Sequence, residues 1–256
     1  MAFFQQQVLR KNKAENLKKI VKVLKQAVVD ILVLPELCTT GYLYESKAEA
    51  LAYAEAIPGG PTTNSLIEIA KTYSCAIVAG VAEEENGELF NSVVVVDRNG
   101  YVGKYRKIHL TRYEKKFFSR GHERPVFNVA GIRLGVQVCY DLWFPEMSRE
   151  LVLQGADLLC VLANFGAATT QEIARVRALE NRTALVLCNR IGFEQEADMD
   201  AEFIGKSLIV NPDGQMLAEG EEQKEIAKVV DLEINRARFK ESLLCDDLLE
   251  EIKLHQ

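Results

Sequence analysis

The 256-residue chain contains no apolar run approaching the ~18 residues that a membrane-spanning helix needs, so no membrane partner is expected. It also lacks a basic-then-apolar leader. Met1 to Gln7 passes directly into Arg10-Lys11-Asn12-Lys13, and export is not expected. No stretch rich in Pro, Gly or Ser divides the sequence: its six prolines are scattered, and Pro58-Gly59-Gly60-Pro61 is short enough to be a turn. A single domain over residues 1–256 is therefore expected. None of the six cysteines pairs as CxxC, and His109, His122 and His255 do not stand with carboxylates at HExxH spacing, which disfavours a zinc site. A large basic surface is missing too. With 37 acidic against 31 basic side chains the net charge is -6, which argues against a nucleic-acid partner. The one dense basic stretch, Lys104 to Arg124, is mixed with Glu114 and Glu123.

What the sequence does hold is enough apolar material, 48% of residues, for a large core. Cys38, Cys75, Cys139, Cys160, Cys188 and Cys245 lie mostly inside apolar runs. A chain this long needs no disulfide framework, so Cys75, Cys160 and Cys188 are expected as small core residues in a reducing, cytoplasmic setting.

Helical and extended patterns alternate. Asn12 to Ala27 carries Leu17, Ile20, Val21, Val23 and Leu24, with Val28 following, at helical spacing, and feeds a strand at Ile31 to Leu34. Thr62-Thr63-Asn64 is a candidate cap for a helix reaching Tyr73, which feeds a strand at Ala76 to Val81. Asn86-Gly87 and Asn99-Gly100 between apolar runs are hairpin signals. The second half repeats the order: a helix from Phe144 to about Gln154, a strand at Ala156 to Leu162, a helix from Gln171 to Asn181, a strand at Ala184 to Cys188, then Ser207 to Gly214 echoing Ser92 to Gly100. Helix-strand alternation calls for parallel strands and the hairpins call for antiparallel ones. Two similar halves, each with a mixed sheet, satisfy both, giving an α/β four-layer α-β-β-α sandwich with internal pseudo-symmetry.

Cys139 is placed differently from the other cysteines. It ends the apolar run Ile132 to Val138 and is followed by Tyr140-Asp141-Leu142-Trp143-Phe144-Pro145-Glu146, so it leaves a strand for a turn at the carboxyl edge of a sheet, where α/β proteins keep reactive groups. A nucleophilic thiol needs a base and a positive neighbour. Glu36, at the end of Ile31-Leu32-Val33-Leu34-Pro35, and Lys107, inside Lys104 to Leu110, are the candidates. Asp141 is expected to anchor the turn through backbone N–H groups, and His109 to shape the lysine loop. Arg175, Arg177 and Arg182, near Glu172 and Glu180, are expected as helix-surface or dimer-edge ion pairs.

Taken together, Leu34-Pro35-Glu36, Tyr105-Arg106-Lys107-Ile108-His109-Leu110 and Cys139 to Glu146 resemble the motifs of the carbon-nitrogen hydrolase, or nitrilase, superfamily. Arg177-Ala178-Leu179-Glu180-Asn181, Asn189-Arg190-Ile191-Gly192 and Phe203-Ile204-Gly205-Lys206-Ser207 support it, and the resemblance runs to about Leu232. It implies the four-layer sandwich, a homodimer or larger homo-oligomer, Glu36 as general base, Lys107 as the lysine, Cys139 as the nucleophile and Glu114 as a second glutamate on the substrate side. The resulting scheme forms a cysteine thioester, with Lys107 and the backbone N–H of Tyr140 as oxyanion donors; no metal or organic cofactor has a task in it.

The expected partner is a small carboxamide or N-carbamoyl compound. Trp143 stands where acid-recognising branches of the family often carry arginine, and Ala163-Asn164-Phe165-Gly166 replaces a Trp-Pro loop, which assigns Trp143, Asn164 and Phe165 to substrate binding and favours an aliphatic or amine-bearing body over a carboxylate. The alternatives are a nitrilase, an acyltransferase of the same fold, and an inactive metabolite-binding or interaction subunit.

Overall fold

The computed structural model describes residues 1–196, 199–234 and 251. Its strands, in chain order, are β1 (Ala2–Gln5), β2 (Ile31–Val33), β3 (Ala76–Glu85), β4 (Glu88–Asp97), β5 (Gly100–Arg106), β6 (Val126–Val129), β7 (Ile132–Val138), β8 (Leu158–Ala163), β9 (Ala184–Asn189), β10 (Ile191–Glu196), β11 (Met199–Ile204), β12 (Leu208–Val210), β13 (Met216–Glu219) and β14 (Ile226–Val229). The helices are α1 (Lys13–Leu24), α2 (Lys47–Tyr53), α3 (Pro61–Tyr73), α4 (Pro145–Leu153) and α5 (Thr169–Glu180).

Two six-stranded sheets form, one ordered β14-β1-β2-β3-β4-β5 and the other β6-β7-β8-β9-β12-β13. Read in that direction, neighbouring strands in both sheets pair antiparallel, parallel, parallel, antiparallel and antiparallel. The repeat legible in the sequence is thus a repeat of sheet topology. A separate antiparallel ribbon, β10-β11, lies outside both sheets.

Period-two alternation decides the layering of the first sheet. Phe3, Ile31, Val33, Val78, Val93 and Val95 join a central core with Leu134, Val136 and Val138 of β7. Their neighbours Phe4, Leu32, Ile77 and Val94 point the other way, against Ile20 and Leu24 of α1 and Leu66 and Ala70 of α3. Leu151 of α4 and Ala174 and Ala178 of α5 pack with the second sheet. The result is an α-β-β-α sandwich with two mixed sheets. No helix among the described residues is long and apolar enough to cross a membrane.

Local details depart from expectation in two places. Asn12 caps α1 by accepting from the Glu15 backbone N–H, but the helix stops at Leu24 and Val28 is 95% exposed, off the apolar stripe. Thr62-Thr63-Asn64 does not cap α3: the helix starts at Pro61, with Gly60 at its N-cap and no side-chain cap there. One orphan donor at this end is met from outside: the Glu55 carboxylate accepts from Thr62 N at 2.6 Å, and also from the Thr62 hydroxyl at 2.8 Å. The two hairpins of the first sheet form as expected, and Asn86 and Gly87 both have positive φ in the β3–β4 turn.

The turn after β2 lies directly on β3. Gly80 N donates to Pro35 O at 3.2 Å and Cys38 N donates to Gly80 O at 2.9 Å. A Cβ on Gly80 would come within 2.5 Å of Leu37 N and 2.6 Å of Glu36 Cα, and backbone on both sides leaves nowhere to move. Gly80→Ala is expected to destabilise the protein by about 1–3 kcal/mol, as overpacking in a tight core does, and to lower turnover in the folded fraction by displacing Glu36. Thermal melts together with activity check this; an unchanged Tm would show that the turn is free to shift.

Candidate active site

Cys139 sits one residue past β7 with φ of 48°, in the left-handed region, and opens a short 3-10 turn, Cys139–Trp143. A non-glycine residue held there costs on the order of 1–3 kcal/mol, and such strain persists where surrounding structure fixes it. Pro145 then starts α4 in the position where its missing N–H does no harm. Glu36 occupies the turn after β2, Lys107 follows β5, and Glu114 opens a 3-10 turn at Glu114–Lys116.

The structure brings these last three together. Lys107 Nζ donates to Glu36 Oε1 at 2.8 Å and to Glu114 Oε1 at 2.7 Å, and all three side chains are fully buried. Asn91, a residue of β4 that sequence reasoning did not single out, donates from Nδ2 to the same two oxygens at 2.7 and 2.9 Å. The second oxygen of Glu114 accepts from Thr111 N at 2.9 Å. Glu36 Oε2 has no partner. Glu36, Lys107 and Glu114 all act electrostatically on the buried Cys139 thiol.

Burial sets the protonation states. It pushes the Glu36 carboxyl above its ordinary value, with Lys107 pulling the other way. Burial alone would discharge Lys107, but the Glu114 and Glu36 carboxylates outweigh it and hold the ammonium well above the usual lysine range. The Cys139 thiol is held well above its usual value by burial and by the Glu36 charge, against the pull of Lys107. The resting group is therefore a thiol with a carboxylate nearby to receive its proton. The backbone at Asn164 acts on the thiol in the same direction as Lys107, pulling it down.

The remaining expected residues are distributed around this centre. Asn164 is buried, and neither of its side-chain polar atoms has a partner. Phe165 is buried at the same strand end, whereas Trp143 is 45% exposed. The Tyr140 ring is 37% exposed and packs edge-on against Phe144. Tyr42 is an addition: its phenol, pushed up by burial, feels Glu114, Lys107, Glu36 and Cys139, and contacts Thr111 Oγ1 at 3.3 Å.

Arg175 pairs with Glu172 on the helix surface as expected, whereas Arg182 lies past the end of α5 and pairs with Asp213 in the loop between β12 and β13. Arg177 does not belong on the helix surface. Although it pairs with Glu180, it is buried and donates to the carbonyls of Leu142 and Trp143, bracing the turn that carries Cys139.

With one ammonium serving two buried carboxylates, removing it should be costly. Lys107→Ala is expected to lose about 3–5 kcal/mol of stability at pH 7, the cost of breaking a buried ion pair. Glu36 already titrates above 4.5 in the folded state and rises further without its cation. The folded variant then binds more protons than the unfolded one, so the charge-dependent part of its deficit is absent below about pH 4.5 and grows as pH rises through the folded value, on top of a pH-independent packing loss. Urea unfolding at pH 5 and pH 7 measures this; a deficit equal at both would contradict the coupling.

Comparison with known proteins places this geometry. The carbon-nitrogen hydrolase family matches residues 1–241. A nitrilase from Pyrococcus abyssi is 39% identical over 238 residues, 91% of this chain and 88% of that protein. A 2-oxoglutaramate amidase from Bacillus subtilis is 34% identical over 252 residues, 93% of each. Among solved structures, a CN-hydrolase superfamily protein from Xanthomonas campestris with an arsenic adduct in its active site superposes with a TM-score of 0.83 at 25% identity, covering 98% of this chain and 95% of that one. A mutant amidase from Nesterenkonia sp. AN1, carrying the product of acrylamide addition at its active-site cysteine, gives 0.80 at 26% identity, covering 96% and 98%. The chain belongs to the carbon-nitrogen hydrolase, or nitrilase, superfamily, and its general chemistry is that of a cysteine-dependent amidase.

Proposed function

We propose that the chain hydrolyses a small carboxamide or N-carbamoyl compound through a thioester on Cys139. The observation that carries this reading is the buried Lys107 ammonium shared between Glu36 and Glu114 beside a thiol on a strained turn. Glu36 takes the thiol proton as sulfur attacks the carbonyl carbon. The oxyanion forms against Lys107 and the Tyr140 N–H. Glu36 returns the proton to nitrogen, the C–N bond breaks, and ammonia or an amine leaves an acyl thioester. Water, deprotonated by Glu36, then attacks that carbon; the C–S bond breaks, Glu36 returns the proton to sulfur to restore the thiol, and a carboxylic acid departs from an amide or a carbamic acid from an N-carbamoyl compound. Glu114 keeps Lys107 charged and orients the leaving nitrogen or the incoming water.

The unpartnered amide of Asn164 and the buried ring of Phe165 meet the body of the substrate, with Trp143 at the rim. Arg133 is tied to Asp157 at the far end of β7, and Arg112, Lys115 and Lys116 are exposed, which supports a neutral or amine-bearing substrate over an anionic one. The resemblance to the Pyrococcus abyssi nitrilase favours a second reading, addition of the same sulfur to a nitrile carbon.

Mass spectrometry after mixing with small amides, carbamoyl amines and nitriles tests the scheme. An acyl mass on Cys139 is expected, and Cys139→Ala should show neither adduct nor turnover; full turnover by that variant would remove the nucleophile. Free acid or amide as the product from nitriles separates the two readings. The rate carries a second signature. Because Glu36 must be ionised to act as base and its carboxyl is held above 4.5, kcat/KM should fall on the acid side with a limb above that value. A limb at or below 4.5 would assign the base elsewhere.

A further inference from the structure

We propose that Asp141 is a positioning residue that pins the segment carrying Lys107 to the turn carrying Cys139, with Tyr105 and His109 as its two arms. The proposal rests on the reading of Lys107 and Cys139 as the reacting pair. Those residues belong to different halves of the molecule: Lys107 follows β5, at the edge of the first sheet, and Cys139 follows β7, in the second. Nothing in either sheet's hydrogen bonding fixes the distance between them.

Asp141 supplies the link. It is fully buried, and its carboxylate accepts four hydrogen bonds: Oδ2 from Tyr105 Oη at 2.7 Å and Val138 N at 2.9 Å, Oδ1 from His109 N and from the His109 ring Nδ1, both at 2.9 Å. Tyr105 and His109 stand two residues before and two after Lys107, while Val138 and Asp141 bracket Cys139. One carboxylate therefore grips both flanks of the lysine and the residue before the cysteine. Tyr105 Oη also accepts from Ile108 N at 3.3 Å, closing the lysine loop on itself. The Lys107 backbone is held on both sides, donating from N to Asn91 O at 2.9 Å and accepting at O from Gly121 N at 2.9 Å. The His109 ring stacks on Phe144, which follows the cysteine turn, with centroids 3.8 Å apart and planes inclined by 13°.

The charge state follows from the partners. Three assigned donors, Tyr105 Oη, Val138 N and His109 N, converge on two oxygens, and an ionised, acceptor-only carboxylate with a proton on His109 Nδ1 satisfies all four contacts. An asparagine at this position would turn an NH2 group toward N–H donors on one side, breaking one arm of the clamp without changing its shape. A reacting group displaced by ~1 Å loses about a hundredfold in rate, so even a partial loosening is measurable.

The experiment compares Asp141→Asn, Tyr105→Phe, His109→Ala and His109→Asn with wild type and Cys139→Ala, reading kcat and KM for amide turnover, Tm, and the pH profile of Cys139 alkylation by iodoacetamide. His109→Asn keeps an N–H donor near the Nδ1 position. Expected are a fall in kcat of about tenfold or more for Asp141→Asn and His109→Ala, with KM changed by less than about threefold, since position and not affinity is lost. Alkylation in these two variants should rise at higher pH than in wild type as the ammonium moves off the sulfur, and His109→Asn should recover most of kcat and the wild-type profile. Should Asp141→Asn fail to fold, the Tyr105 and His109 variants carry the test. Wild-type kcat and profile in His109→Ala, or a folded His109→Asn no better than His109→Ala, would overturn the clamp. Turnover by Cys139→Ala would instead defeat the underlying assignment of the nucleophile, a result separate from either.

Discussion

One buried ammonium between two carboxylates governs the architecture around it. Taking Lys107, Glu36 and Glu114 out of water carries a desolvation penalty of several kcal/mol per ion, which only close mutual contact and further hydrogen bonds repay. The Asn91 amide supplies part of the second requirement by donating to both carboxylates, and Thr111 N supplies more. The group is therefore stable only where the ends of β2 and β5, the first part of β4 and the 110s loop converge. That demand fixes where the chain has to turn after β2 and β5. The excess of carboxylate over ammonium has a chemical consequence as well. It leaves Glu36 with one oxygen unpartnered and a raised affinity for a proton, next to a thiol that cannot ionise unaided. Neither group is a strong acid or base in isolation; coupling lets a proton pass between them during attack.

The repeat of topology explains how such distant residues converge. Glu36 follows the second of the parallel strands in its sheet, β2, and Asn164 follows β8, which holds the same place in the other sheet. One equivalent strand end thus carries the Glu36 carboxylate and the other carries the buried, unpartnered amide of Asn164. Carboxyl ends of parallel strands collect functional groups because the chain there leaves the sheet for a helix or a loop and is free to vary. Two sheets packed face to face bring two such edges together, and the site is built from both.

How far the sequence reveals this depends on the signal each residue leaves. Cys139, Glu36 and Lys107 are legible because each interrupts or ends a patterned run, where a polar or reactive residue stands out. Glu114 was legible only through family resemblance, since a glutamate among lysines in a loop has an ordinary surface explanation. Asn91 and Tyr42 leave no local signal. Asn91 is the fourth residue of the strand Glu88–Asp97, between Phe90 and Ser92, where an amide has no distinguishing spacing, and Tyr42 reaches the site through loop packing that periodicity does not encode. Arg177 was misplaced for a related reason: on a helix rich in charge it reads as solvated, and only the tertiary course of the cysteine turn gives it buried carbonyls to hold. The cap of α3 failed to appear at Thr62 because Glu55, from outside the helix, took the role. The β10-β11 ribbon was missed because its strands mix apolar residues with glutamate, aspartate, glycine and glutamine and do not alternate cleanly.

That ribbon has its own reason to carry charge. Arg190 and Glu194 form an ion pair buried to about 1% exposure on each side, the guanidinium lying over the Phe203 ring and donating to Val8 O. A buried pair of this kind is weak evidence for stability, because apolar residues of the same volume often do as well. Its partners show what apolar residues could not supply. Glu194 Oε2 accepts from Tyr42 N at 2.9 Å and Leu43 N at 2.8 Å, so the ribbon holds the loop that leads away from Glu36 and carries Tyr42 to the site. Directional acceptors fix a backbone in one register, and contact area alone does not. The same logic applies to Arg177, a buried charge outside the reactive centre that grips the Leu142 and Trp143 carbonyls of the turn carrying Cys139.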